Sequence, residues 1–266
     1  MQFWCSAQGI PWSWTWRPYV GVWVLVLVLA FLYLRWTRRA TGERPPGRSW
    51  RTASFAAALA ALWLGLDWPI GALAAGYLAS LHMLQFLLVA LVAPALGLLG
   101  IPDGVWDRLA ARARPPGILR LTHPVAAFLA FNLVVLVTHW PVVVDGLMAS
   151  QAGSFLIDML WFGGGILLWW PVVAPFPTRP GFGYALKMGY LIAVTITTTI
   201  PFLYLTFTSL PVYATYELAP PIPGISKRQD QQLAGLLMKL GGAVVLWTGI
   251  AALFFRWYLR EEGSVA

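Results

Sequence analysis

The sequence has few cysteine, histidine and charged residues. Of its 266 residues, one is cysteine, three are histidine and 11 % are charged, whereas a soluble globular domain has about 25 % charged residues. The single cysteine, Cys5, excludes an intramolecular disulfide and a CxxC metal or redox pair. The low charge excludes an ordinary soluble enzyme, and no Walker loop, GxSxG elbow or HExxH motif is present. We therefore expect no enzymatic activity.

Apolar residues are abundant instead and make up 59 % of the chain. This supply is sufficient for seven bilayer crossings of about 20 residues each, and the 16 tryptophans are typical of membrane interfaces. The sequence predicts an all-α, polytopic membrane protein: a single domain over residues 1–266 that forms a bundle of seven transmembrane helices in the lipid bilayer. The predicted spans cover residues 19–34, 52–66, 76–99, 124–140, 153–173, 184–207 and 232–255.

The first span is expected to remain in the protein, because four tryptophans and no basic cluster precede it, unlike a cleavable signal. Fourteen of the 18 Lys and Arg residues fall in alternate loops and the C-terminal tail. The positive-inside rule then predicts an outside N-terminus and a cytoplasmic C-terminus. The net charge of +8 is explained by this topology, so we expect no nucleic-acid partner.

Polar residues within the spans concentrate in the predicted outer half of the bundle. Ionisable groups in a bilayer are costly and usually face the bundle interior or a cavity. Imidazole and thioether groups suit copper, and His82, His139, Met83 and Asp158 are the candidate ligands. Further polar or motif residues lie in the same region or in span seven: Gln85, Asp230, Gln231, Gln232, Met238 and Lys239.

Each candidate also has a simpler structural interpretation. His82 could be an interhelical hydrogen-bond partner, and His139 could be an interfacial residue with one wet edge. Asp158 and Lys239 are predicted to form an ion pair between spans five and seven. The methionines are typical packing residues. In span six, four threonines before Pro201 predict a kink whose freed carbonyls are bonded by hydroxyls.

Several motifs, taken in their order along the chain, resemble one family. They are HMLQFLL at residues 82–88 continuing to VAP at 92–94, HWP at 139–141, LWWPV at 168–172 and DQQLAGLLM at 230–238. These segments resemble the seven-helix CtaG family of cytochrome c oxidase assembly factors, and the last is the most specific. The resemblance covers roughly residues 50–260.

The resemblance implies a bacterial inner-membrane protein that assembles a haem-copper oxidase, has oxidase subunits as partners and handles copper at its outer face. Phe86 replaces a second histidine of the family's span three, and Ser154 and Asp158 stand where a further histidine pair is usual. The alternative is an accessory subunit of a respiratory or photosynthetic complex that has lost metal binding. A proton or solute transporter using Asp158 and Lys239 ranks below both, since no inverted repeat is evident.

Overall fold

The computed structural model describes residues 2–41, 50–112, 120–175 and 181–265. Within these ranges every regular element is helical, and five helices are long and apolar enough to cross a membrane. The number rises to seven when each of two bent helix pairs is counted as one span. The prediction of an all-α, multi-pass membrane protein is confirmed. The exact count of seven and the orientation of the termini stay predictions. Four residues of the predicted basic loops lie outside the described ranges: Arg44, Arg48, Arg114 and Arg179.

The first two long helices are α1 (Val20–Thr41) and α2 (Trp50–Leu66). A short helix, α3 (Ile70–Gly76), follows α2 with a bend of 43°. The bend falls at Pro69, since proline has no N–H with which to continue the helical ladder. The chain thus turns at the end of α2 instead of passing directly into span three.

Span three consists of α4 (Ala79–Phe86), a π-helical segment (Leu87–Val92) and α5 (Ala93–Leu99). The sequence predicted one continuous span over residues 76–99, and the structure starts it at Ala79 because α3 ends at Gly76. A short helix, α6 (Asp103–Arg112), follows it.

Span four is α7 (Pro124–Thr138), which has proline in its first turn as expected. The structure adds α8 (Pro141–Met148), bent by 71° from α7, where the sequence indicated only a connection. Span five is α9 (Gln151–Val173). A Cβ at Gly165 of α9 would overlap the Ala90 carbonyl oxygen in the π-helical segment. A side chain at residue 165 would therefore push these two elements apart.

Span six is divided into α10 (Tyr184–Thr197) and α11 (Thr199–Phe207). The helix is interrupted at Thr198, three residues before Pro201, in the region where the kink was predicted. The hydroxyls of Thr198 and Thr199 donate to the Thr195 carbonyl. After a short helix, α12 (Ala214–Glu217), span seven runs as α13 (Lys227–Leu236), a second π-helical segment (Leu237–Gly241) and α14 (Gly242–Val265).

Span seven begins earlier than the predicted start at residue 232. The cause is a capping box, in which the Ser226 hydroxyl accepts from the Gln229 backbone N–H and the Gln229 side chain bonds back to the Ser226 backbone. These bonds satisfy N–H groups that a helix start leaves unpaired. The polar first turns of the helix therefore extend beyond the apolar span.

The residues before α1, which we name the N-terminal segment (residues 2–19), fold back over one end of the bundle. Trp4 and Cys5 are 0 % and 1 % exposed. The Ala7 N–H donates to the Met148 carbonyl, and the Tyr19 N–H donates to the Asp67 carboxylate. We name this covered side the closed end, and the opposite side, where α5 and α9 finish, the basic end.

Candidate functional site

Two buried histidines lie against the same indole at the closed end. His82 in α4 is 2 % exposed and His139 at the end of α7 is 7 % exposed. The Trp161 ring of α9 is centred 4.8 Å from the His82 ring and 6.1 Å from the His139 ring. Phe86, one turn after His82, meets His139 edge-on at 5.2 Å. The structure therefore brings together both predicted histidines, which lie 57 residues apart in the chain.

The orientation of the His139 ring is set by its own helix. Its Nδ1 lies 2.8 Å from the Val135 carbonyl oxygen, and because a carbonyl only accepts, this nitrogen must carry the proton. Nε2 then has the free lone pair, and it is buried with no partner in the described part of the chain. In metal sites, a backbone carbonyl commonly accepts from one ring nitrogen in this way and orients the other nitrogen toward the metal.

His82 has a comparable unpartnered nitrogen. Its Nδ1 is buried and has no hydrogen-bond partner among the described residues, and the same is true of the Gln85 Oε1. Gln85 follows His82 by three positions, so both side chains lie on one face of α4. Tyr216 packs against His82 with ring centres 5.7 Å apart and donates its own hydroxyl to the Ala74 carbonyl. Unpaired buried polar atoms are uncommon in folded proteins, so this cluster is where a ligand is most expected.

Asp158 is buried beside this cluster and is held by two side chains. The Trp4 Nε1 donates to one carboxylate oxygen at 2.7 Å, and the Gln85 Nε2 donates to the other at 3.2 Å. Trp4 comes from the N-terminal segment, which is fixed further by bonds from the Phe3 and Trp4 N–H groups to the Gln151 side chain. The carboxylate therefore joins the covering segment to span three.

The predicted ion pair between Asp158 and Lys239 is wrong. The Lys239 ammonium instead donates to the Thr195 carbonyl at 3.1 Å and to the Thr199 hydroxyl at 2.6 Å. The break in span six frees carbonyl groups for this cation, and Asp158 has donors from other elements. The two residues were predicted to lie at similar depth, but they face different neighbours.

The DQQ motif has a structural role in this chain. Asp230 accepts the backbone N–H groups of Ala79 and Ser80 and the Ser80 hydroxyl, and so it caps the start of α4. Gln231 accepts the Val212 N–H and donates to the carbonyls of Leu205 and Leu210. These bonds fix span seven against span three and against the connection after span six. Gln232 is half-buried, and Met238 is buried in the hydrophobic core.

Met83 is also in the buried core, at 1 % exposure. It follows His82 directly, and consecutive side chains of a helix point about 100° apart. Met83 and His82 therefore lie on different faces of α4, and ligation of one copper ion by both stays a prediction.

A metal site with three protein ligands does not fit the described residues. No group of three or more His, Cys, Asp or Glu side chains is arranged there to hold a metal ion. Cys5 is buried and donates from its Sγ to the Leu66 carbonyl. Burial, together with the negative charge of Asp158, raises the pKa of the Cys5 thiol well above its usual value, so the thiolate that binds metals is disfavoured. The candidate donors are thus the two imidazole nitrogens.

Sequence reasoning missed the contributions of Trp4, Trp161 and Tyr216. The 16 tryptophans were interpreted as interfacial residues as a group, which concealed the full burial of Trp4 and Trp161. A signal for Trp161 was present, because it lies one turn after Asp158 inside span five, away from either predicted membrane surface. The burial of Trp4 had no comparable signal in the sequence.

One protein family matches most of the chain. The family model described as cytochrome c oxidase caa3 assembly factor covers residues 31–260. No curated protein and no solved structure gives a significant match. The matched range contains the two histidines, Trp161 and the DQQ motif, whereas the N-terminal segment that covers them precedes it.

Proposed function

The chain belongs to the family of cytochrome c oxidase caa3 assembly factors, and we propose that within this function it carries Cu(I) as a transient cargo on His82 and His139. The role is that of a non-catalytic carrier in the bacterial inner membrane, with haem-copper oxidase subunits as its partners. Copper is the substrate that is received and passed on, and no covalent bond within the protein is made or broken.

The observation that carries the proposal is the pair of unpartnered imidazole nitrogens. His82 Nδ1 and His139 Nε2 are buried without hydrogen-bond partners among the described residues, although both rings lie against Trp161. Neutral imidazole is a good ligand for copper. A bound ion would satisfy both nitrogens in an environment where an unpaired polar atom costs about 1–3 kcal/mol.

The small number of donors favours transfer over storage. A structural metal site is usually closed by four ligands, and three acidic, thiol or imidazole groups are not arranged together in the described part of this chain. Cu(I) accepts lower coordination numbers than Cu(II), so two imidazoles are sufficient for loose binding. An additional donor from the oxidase subunit would then draw the ion away.

The test is anaerobic Cu(I) titration of the purified full-length protein in mild detergent against a chromogenic chelator. We expect about one Cu(I) per chain, and we expect His82→Ala or His139→Ala to weaken its affinity at least about tenfold, the effect of 1.4 kcal/mol. His123→Ala is the matched control, since the third histidine lies at the opposite end of α7.

Thermal unfolding of each variant in the same detergent separates loss of copper from loss of fold. Copper binding that is unaffected by both substitutions, or that is lost equally with His123→Ala, would contradict the proposed site. The same conclusion would follow if the wild-type protein bound no copper.

A second function is favoured by the way Asp158 and Phe86 fill the site. Asp158 accepts hydrogen bonds from Trp4 and Gln85, and the Phe86 ring packs against both His139 and Trp161. A chain whose histidine site is filled by its own side chains in this way would serve the oxidase as a metal-free accessory subunit. Stable co-purification with oxidase subunits in fixed stoichiometry, without copper, would support this alternative and exclude transport of the ion.

A further inference from the structure

A cavity of about 420 Å³ opens at the basic end of the bundle, the end opposite to His82 and His139. It lies between the start of α2, the ends of α5 and α9, the start of α10 and the last turns of α14. Pockets for small ligands have volumes of about 300–1,000 Å³. The cavity is therefore large enough for a ligand group, and none of the assembly chemistry discussed above uses it.

The charged residues that line the cavity are mostly basic. They are Arg51, Lys187, Arg256 and Arg260, and Asp103 is the one acid among the described lining residues. Asp103 is already engaged, because its carboxylate lies 2.7 Å from the Arg51 guanidinium. Three cations consequently face the cavity without an acidic lining residue to neutralise them.

These cations keep hydrogen-bond donors available. The Lys187 ammonium uses one donor for the Val172 carbonyl at 2.9 Å, and an ammonium has three. The Arg260 guanidinium lies over the Tyr184 ring at 5.7 Å, a contact that does not consume its N–H groups. Arg256 and Arg260 lie one turn apart on α14, where like charges repel. An anion between them would remove this repulsion.

The remaining walls of the cavity are apolar and aromatic. Leu98 and Leu253 are buried residues of the lining, and Trp106 lies edge-on to Trp170 at 5.3 Å. Trp50, exposed at the start of α2, is placed as an aromatic belt residue would be at the membrane surface. A ligand that fits these walls has a negative group and an apolar part, which describes a phospholipid better than a soluble ion.

We propose that this cavity binds the phosphate headgroup of an anionic phospholipid, with Lys187, Arg256 and Arg260 contacting the phosphate oxygens. Basic pockets between transmembrane helices on the cytoplasmic side are known to bind such headgroups, and the positive-inside rule predicts this end to be cytoplasmic. The apolar walls contact the glycerol and the first carbons of the acyl chains. The proposal is independent of copper carriage at the closed end.

The experiment is native mass spectrometry of the full-length protein, released from nanodiscs that contain equal amounts of phosphatidylglycerol and phosphatidylcholine. We expect about one phosphatidylglycerol to be retained by each wild-type chain. Arg256→Gln combined with Arg260→Gln should lower the apparent affinity at least about tenfold, since two of the three proposed phosphate contacts are lost. Arg256→Lys with Arg260→Lys should restore most of the retention.

The matched control is Arg35→Gln combined with Arg38→Gln, which removes the same charge at the exposed end of α1, outside the cavity lining. Retention in this control should equal that of the wild type. Equal loss in both double variants, or retention of both lipids alike, would overturn the proposal by showing general charge attraction. Displacement of the lipid by millimolar inorganic phosphate or glycerol phosphate would instead show a site for the free anion and also overturn it.

Discussion

The two ends of the bundle use their charged groups in opposite ways. At the closed end, Asp67, Asp145 and Asp230 each accept at least one backbone N–H from another part of the chain. At the basic end, one acid among the described lining residues of the cavity faces four cations. Carboxylates at the closed end therefore stabilise loops and helix starts by accepting their N–H groups, whereas most cations around the cavity have no acidic partner in its lining.

This difference explains which side chains are candidates for function. A carboxylate that accepts backbone N–H groups stabilises the fold and has little capacity left for a ligand. The imidazoles of His82 and His139 and the cations of the cavity retain unused donor or acceptor positions. Removing a carboxylate that accepts backbone N–H groups should thus reduce stability, and removing a cation from the cavity should reduce binding.

The largest effect is expected for Asp230→Asn at the closed end. The amide retains one acceptor oxygen and places an NH₂ group beside the N–H groups of Ala79 and Ser80. The free energy of unfolding should fall by about 3 kcal/mol or more, because buried donors at the start of α4 lose their partner. Thermal unfolding in detergent measures it, with the exposed Asp107→Asn as the control. Equal stability of the two variants would show that Asp230 stabilises the closed end no more than an exposed carboxylate does.

A smaller effect is expected for Trp4→Phe, which keeps an aromatic ring but removes the donor to Asp158. The N-terminal segment should detach more often, because the free energy of opening falls by about 1–3 kcal/mol. Cys5 is the single cysteine and is a buried residue of the N-terminal segment, so maleimide labelling of Cys5 reports detachment of this segment directly. We expect labelling to accelerate about tenfold or more, and the exposed Trp14→Phe should leave the rate unchanged.

The pH dependence of the same labelling sharpens this result. An exposed thiol ionises near pH 8.5 and reacts as the thiolate, whereas burial raises the pKa of Cys5 in the folded protein. Wild-type labelling should therefore stay slow between about pH 7 and pH 9, and the Trp4→Phe rate should rise over that interval. Equal labelling rates for the two proteins at every pH would show that the N-terminal segment does not protect Cys5.

The smallest effect is expected for Asp103→Asn at the basic end. The Arg51–Asp103 pair is partly solvated, with the Asp103 side chain 75 % exposed, and such pairs contribute about 0–1 kcal/mol. Unfolding should change by less than that amount, and phosphatidylglycerol retention should not fall. A loss of stability like that of Asp230→Asn would show that carboxylates stabilise both ends of the bundle to a similar degree.

The sequence was sufficient to predict an all-helical membrane protein and the set of polar residues at the closed end. Helical periodicity and hydropathy report depth along a span, so His82 and His139 were placed in the same layer. They do not report which neighbour a side chain faces, and the ion pair between Asp158 and Lys239 was predicted wrongly for that reason. The covering position of Trp4 depends on contacts more than 140 residues away in sequence, which local patterns do not contain.

The π-helical segment at Leu87–Val92 has a consequence for studies of span three. A π-turn contains about one more residue than an α-turn, which rotates everything after it by about 100° relative to a regular helix. His82 and Pro94 consequently cannot be drawn on one helical wheel, although they belong to one span. In scanning mutagenesis of this span, residues must be assigned to helix faces separately in α4, which carries His82, and in α5, which packs against α2.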